Sequence, residues 1–184
     1  MFFFYQLFIP LLSLFLNRVD LIDFWPIKVS GQVLEVYDGD TVKVKIHKGE
    51  MFILRFSRID APEKNQYFWK MPINAGLVST QCLKRLLMDR KITWEIQGRD
   101  RYGRLLGDAL TEDHLRITLE MIKQGCAILY PFARFKNWQE KHHYLNMFLE
   151  SLNYKRGLWK YGLLENPYHF RRRQKAKRRP VEAE

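Results

Sequence analysis

Residues 32–63 read QVLEVYDGDTVKVKIHKGEMFILRFSRIDAPE, and this stretch decides the fold class. Val33, Val36, Val42, Val44 and Ile46 lie in short β-branched runs on either side of Asp38-Gly39-Asp40. Alternation at a two-residue period buries one face of a strand. An Asp-Gly pair supplies the positive φ that a tight hairpin turn needs. The reading is therefore strand, turn, strand. Lys48-Gly49-Glu50 forms a second turn, and residues 51–59 (MFILRFSRI) form a third strand. Pro62 has no amide donor and disfavours helix at the residue before it, so residues 60–63 make a loop at the strand's end.

Further along, residues 74–90 carry Leu77, Val78, Cys82, Leu83, Leu86 and Leu87 at helical spacing with a polar opposite face. Residues 91–97 (KITWEIQ) alternate as a strand, 98–102 turn, and 104–110 form another strand. Residues 115–123 make a second helix that stops at Gly125, and 136–155 a third. The order is three strands, a helix, two strands and two helices. It predicts an α+β fold: a small, partly open five-stranded barrel of the oligonucleotide-binding (OB) type, with three helices packed outside.

The whole chain has 184 residues, enough for one domain with a sizeable core and short extras at the ends. Hydrophobic residues make up 47%, which excludes wholesale disorder. Thirty-one Lys and Arg against 20 Asp and Glu give a net charge of +11. Such a surface favours an acidic polymer or an anionic membrane as partner. Residues 171–179 read RRRQKAKRR; the segment 163–184 carries +4 and the rest of the chain +7, so the basic character is not confined to the tail. That tail is expected to be a disordered end, either solubilising or a phosphate-binding arm without sequence preference.

Residues 2–16 (FFFYQLFIPLLSLFL) are the opposite in character. The block is short for a membrane span of roughly 20 residues. It lacks the preceding cations and the following cleavage site of a secretory signal. An uncleaved short anchor, an atypical export signal and an apolar helix packed on the domain all remain open; the first two are preferred, which makes the protein membrane-associated or exported. The expected layout is an apolar segment at 1–28, a domain at 29–162 and the tail at 163–184. Cys82 and Cys126 are too few for a disulfide scaffold or a Cys-rich zinc site, and they do not fix the compartment.

Four segments place charge where a core needs none. Asp38-Gly39-Asp40-Thr41 taken alone is a common hairpin turn. Arg55 lies inside an apolar strand and is followed by Asp60-Ala61-Pro62-Glu63. A buried Arg either snorkels or meets an anion, and carboxylates on a Pro-stiffened loop suit a hard cation such as Ca²⁺. Asp100-Arg101-Tyr102-Gly103-Arg104 puts two guanidinium groups around a Gly turn, which can clamp a phosphate in bidentate fashion. Arg156-Gly157-Leu158-Trp159 suits a helix end with a Gly cap and an apolar anchor.

Together and in this order, the four segments resemble the staphylococcal nuclease (thermonuclease) family over roughly residues 29–162. The stretch LEMIKQG at 119–125 is similar to that family's second helix. The resemblance implies an OB-type barrel with three helices and Ca²⁺-dependent cleavage of DNA or RNA, leaving 3′-phosphate ends. It implies that Asp40, Asp60 and the backbone carbonyl of Ala61 hold the metal. It also implies that Glu63 aligns or deprotonates the attacking water and that Arg55 and Arg104 grip the scissile phosphate. It implies that Asp38 supports the metal loop and that Arg101 and Tyr102 border the nucleotide, with Tyr130 or Phe132 left to stack on the base. The chain departs from the family where two Tyr are usual after the second helix: Tyr130-Pro131-Phe132 offers only one.

The chemistry agrees with this transfer. A phosphodiester is anionic, so charge must be neutralised before water attacks it. An Arg stays protonated and clamps better than it donates protons, and a carboxylate beside the water accepts its proton. The other reading is a non-catalytic OB-type module that binds nucleic acid through its basic surface and tail, with membrane contact through residues 2–16. A monomer is expected. The five histidines show no metal-ligand spacing, and Gly-rich phosphate loops and a glycosidase carboxylate pair are missing from the sequence.

Overall fold

The computed structural model describes residues 26–177, apart from 47, 48, 70, 89 and 163. The barrel strands are β1 (Ile27–Val36), β2 (Thr41–Ile46), β3 (Met51–Phe56), β5 (Ile92–Arg99) and β6 (Leu105–Thr111). They close in the order β1-β2-β3-β6-β5. The five expected strands are all present, and the barrel is closed where a partly open one is expected. Closure comes from two pairings between strands distant in sequence. The first half of β1 pairs with β5 (Ile27 opposite Ile96), and its second half pairs with β2 (Val36 opposite Val42). A register shift between Val33 and Glu35 bends the strand between these partners. On the other side β3 runs parallel to β6, Leu54 opposite Leu105. Val42, Val44, Leu54, Phe56, Trp94 and Leu105 fill the interior. Trp94 satisfies its indole N–H on the Gly31 carbonyl at 3.2 Å.

A two-stranded ribbon, β4 (Ile59–Asp60) with β7 (Ile128–Leu129), lies outside the barrel. The helices are α1 (Ala75–Leu87), α2 (Ile117–Lys123), α3 (Trp138–Asn153) and α4 (Pro167–Lys177), with a 3₁₀ turn at Gly157–Tyr161. Asn74 caps α1: its Oδ1 accepts from the Leu77 amide at 2.9 Å, and its Nδ2 donates to the Lys64 carbonyl at 2.7 Å. Replacing Asn74 by Ala is expected to cost about 1 kcal/mol. Thermal unfolding should then show a Tm lower by roughly 2–4 °C; an unchanged Tm would mean that the cap contributes nothing.

Charge also holds the helices to the barrel. The fully buried Asp108 on β6 accepts from Arg58 (3.3 Å), from Arg116 (3.1 Å), and from the hydroxyl and amide of Thr118 on α2. Tyr144 of α3 reaches the same Thr118 hydroxyl at 2.7 Å, and burial raises its phenol pKa to beyond the ordinary tyrosine range. This network was not legible in the sequence, because its members come from four separate segments.

The expectation about the tail changes, and the two cysteines gain a pairing that the sequence left open. The tail read as disordered from 163 is helical over Pro167–Lys177. Asn166 accepts from the Tyr168 amide at 2.9 Å, Pro167 suits the first helical position, and Phe170 is buried. A run of cations concealed these signals. The expected 163 boundary for disorder thus fails within the described residues, and 178–184 lie outside them. Cys82 and Cys126 form a disulfide with 6.2 Å between their Cα atoms, tying α1 to the turn before β7. Two cysteines 44 residues apart show no pairing until the fold brings them together. The block at 2–16 and its anchor or export role lie outside the described residues. Among the described residues no helix is long and apolar enough to cross a membrane.

Candidate active site

Three pieces of chain meet at one rim of the barrel: the turn between β1 and β2, the end of β3 with β4, and the loop after β4. Two glycines make this approach possible. A Cβ on Gly39 would lie 1.8 Å from the Ser79 Oγ and 2.7 Å from the Ala61 Cβ. A Cβ on Gly76 would lie 2.1 Å from the Glu63 carbonyl oxygen. Both acidic loops therefore rest directly on the first turns of α1. Gly39 does not adopt the positive φ expected of it; close approach, rather than a left-handed turn, requires glycine there.

The turn places Asp38 and Asp40 in distinct roles. The Asp38 Oδ1 accepts from the Asp40 amide at 3.0 Å, which fixes the loop. Asp40 is buried, and its carboxylate accepts from the Thr41 hydroxyl at 2.8 Å and from the Ala61 amide at 3.1 Å. Asp60 is fully buried. Arg55 spans both, donating to the Asp60 Oδ1 at 2.9 Å and lying 3.2 Å from the Asp40 Oδ2. Its other contacts are the carbonyls of Phe56 (3.0 Å) and Ile59 (3.3 Å). Its guanidinium also stands 5.2 Å from the centre of the Tyr130 ring.

Burial and the neighbouring Asp40 charge push the Asp38 carboxyl up to about 6. Burial likewise raises that of Asp60, against the pull of Arg171 and Arg55. The cluster is thus short of positive charge for its four carboxylates.

The structure brings Asp38, Asp40, Arg55, Asp60, Ala61, Glu63 and Tyr130 together. Arg101, Tyr102 and Arg104 occupy the turn between β5 and β6. There Arg104 Nε pairs with Asp100 at 2.8 Å, and the Arg101 and Arg104 guanidiniums lie 4.9 and 5.8 Å from the Tyr102 ring centre. Among the described residues no hydrogen bond or ion pair joins Arg104 to the acid cluster. The β3–β6 register nevertheless sets Leu106 opposite Arg55. Arg104 is two residues before Leu106, just ahead of β6, about 7 Å away along the chain.

Sequence reasoning missed Arg171. This residue of α4 donates to both Asp60 oxygens, at 3.1 and 2.8 Å, and to the Glu63 Oε1 at 2.9 Å. The RRR run at 171–173 was visible, but it reads as a phosphate-binding arm. Phe132 packs edge-on against both Tyr130 and Tyr168 of α4, extending the aromatic surface beside Arg55.

Among the described residues no three His, Cys, Asp or Glu side chains converge on a ready metal cage. The donor chemistry still suits a hard cation: Asp40, Asp60 and Glu63 offer oxygen alone. The Asp60 carboxylate already holds a guanidinium across both oxygens, the place a cation would take.

A closed five-stranded barrel with acids and arginines converging on one rim defines an OB-type α+β domain. The family profile described as staphylococcal nuclease homologue matches residues 53–161, and the chain belongs to that family. An "Uncharacterized endonuclease" of Escherichia coli O157:H7 is 35% identical over 109 residues, covering 58% of this chain and 66% of that protein. "Endonuclease YhcR" of Bacillus subtilis (strain 168) is 31% identical over 157 residues, 80% of this chain but 13% of its own length. An "Uncharacterized endonuclease" of Haemophilus influenzae is 30% identical over 148 residues, 80% of this chain and 76% of its own. The chain thus spans just under two thirds of the E. coli relative and a small part of the Bacillus one.

Proposed function

We propose that this chain is a Ca²⁺-dependent nuclease that hydrolyses phosphodiester bonds of DNA or RNA. The observation that carries the reading is the convergence of buried Asp40 and Asp60 with Arg55 and Glu63 at one rim. Membership of the nuclease homologue family supports it, as do the endonuclease names of the relatives.

Asp40, Asp60 and the Ala61 carbonyl are the groups to hold Ca²⁺. When bound, the ion neutralises charge on the phosphoryl oxygens. Glu63 is partly exposed and so open to water; its carboxylate orients the attacking molecule and accepts its proton. Arg55 is anchored on two carbonyls and presents a permanent charge to the phosphate. Arg104 must release Asp100 to join it. Tyr130 and Phe132 offer faces for base stacking, and Arg101 and Tyr102 border the nucleotide from the opposite turn.

The disulfide favours an oxidising compartment. That agrees with export, or with anchoring through residues 2–16 and the domain outside. The basic surface supplies affinity without sequence preference.

The test is cleavage of single-stranded DNA and RNA by the purified protein in millimolar Ca²⁺ and in chelator. Cleavage of internal bonds that stops in chelator is expected. Binding without cleavage under both conditions would instead assign a nucleic-acid-binding module.

A further inference from the structure

We propose that α4 is a built-in plug, with Arg171 acting as a tethered cation that competes with Ca²⁺ for the acid cluster. The proposal rests on the calcium reading above and goes beyond it by assigning a role to the C-terminal helix. One guanidinium bridges both oxygens of a fully buried carboxylate and the Glu63 carboxylate. Asp60 cannot offer those oxygens to a metal and to Arg171 at once.

The docking is not a single contact. Gln66, almost fully buried, donates to the Glu165 carbonyl at 2.6 Å, while its Oε1 accepts from the Glu63 amide at 3.2 Å. The loop bearing Glu63 is therefore tied to the chain entering α4. Phe170 is buried, and Tyr168 meets Phe132 edge-on. Pro167 is buried as well, at the helix's first turn; from Arg171 onward the helix is polar and mostly exposed, so the apolar area that opposes its release is confined to that first turn. A doubly charged ion brings twice the charge of the guanidinium it would displace. Once free, the helix carries its cations to a nucleic-acid backbone rather than to the site.

The experiment compares the full chain with Arg171→Gln and with Arg172→Gln. The second variant loses the same charge from an exposed position on the same helix. Ca²⁺ affinity is measured by titration calorimetry, and amide exchange over 167–177 with and without Ca²⁺. Arg171→Gln should bind Ca²⁺ roughly tenfold or more tightly than the parent, the size of effect that one charge a few ångströms away exerts on a carboxylate. Arg172→Gln should match the parent, and Ca²⁺ should speed exchange across 167–177 in the parent. Equal affinities in all three proteins would overturn the plug, as would a helix that stays protected at saturating Ca²⁺. If none of the three binds Ca²⁺, the calcium reading falls and the competition with it, a result distinct from equal binding by all.

Discussion

Glu63→Gln should cut nucleic-acid cleavage at saturating Ca²⁺ by about 10²–10⁴-fold, the range attributed to a positioned general base. The substitution keeps size and hydrogen-bonding shape but removes the proton acceptor. The fold should survive it. The Glu63 side chain is about one-third exposed, at 37%, and its structural role runs through its backbone amide to Gln66. Both partners of its ion pair with Arg171 are about one-third exposed, so its loss should move stability little. Two measurements separate possible roles. Unchanged Ca²⁺ affinity with a reduced kcat makes Glu63 the group that handles water. A parallel loss of Ca²⁺ affinity makes it a ligand. A variant that cleaves as fast as the parent would remove Glu63 from the mechanism.

Breaking the Cys82–Cys126 bond should lower stability strongly. The bond closes a separation of 44 residues. On the loop-entropy account that stabilises the fold by about 4 kcal/mol. The double replacement Cys82→Ser with Cys126→Ser should therefore lower Tm by roughly 8–16 °C. Reductant should lower the parent's Tm by a comparable amount and leave the double variant unmoved. The loss should also reach the site. Cys126 lies two residues before Ile128 of β7, which pairs with Asp60, and the Cys126 carbonyl accepts from the Ser79 hydroxyl beneath the Gly39 turn. A parent protein whose Tm is indifferent to reductant would show that the bond contributes no stability.

Much of this molecule was readable from residues in a row. Most barrel strands are announced by β-branched or alternating runs beside turn residues, α1 and α2 by helical periodicity, and the end of α2 by Gly125. Those signals depend on near neighbours, so they survive without a fold. The acidic turns and Arg55 were also visible, because charge inside an apolar strand conflicts with burial unless a partner answers it.

What the sequence did not disclose is pairing over distance. Barrel closure through the parallel β3–β6 contact, the Asp108 network and the disulfide each join segments far apart along the chain. No local pattern encodes such a partner. Gly39 is the small-scale case: the residue was legible, but its reason, contact with Ser79 and Ala61, belongs to the fold. Arg171 is the large-scale case. Composition alone determined that the tail is cationic. Only the tertiary structure, by burying Asp60 without enough positive charge around it, decided where one of those cations sits.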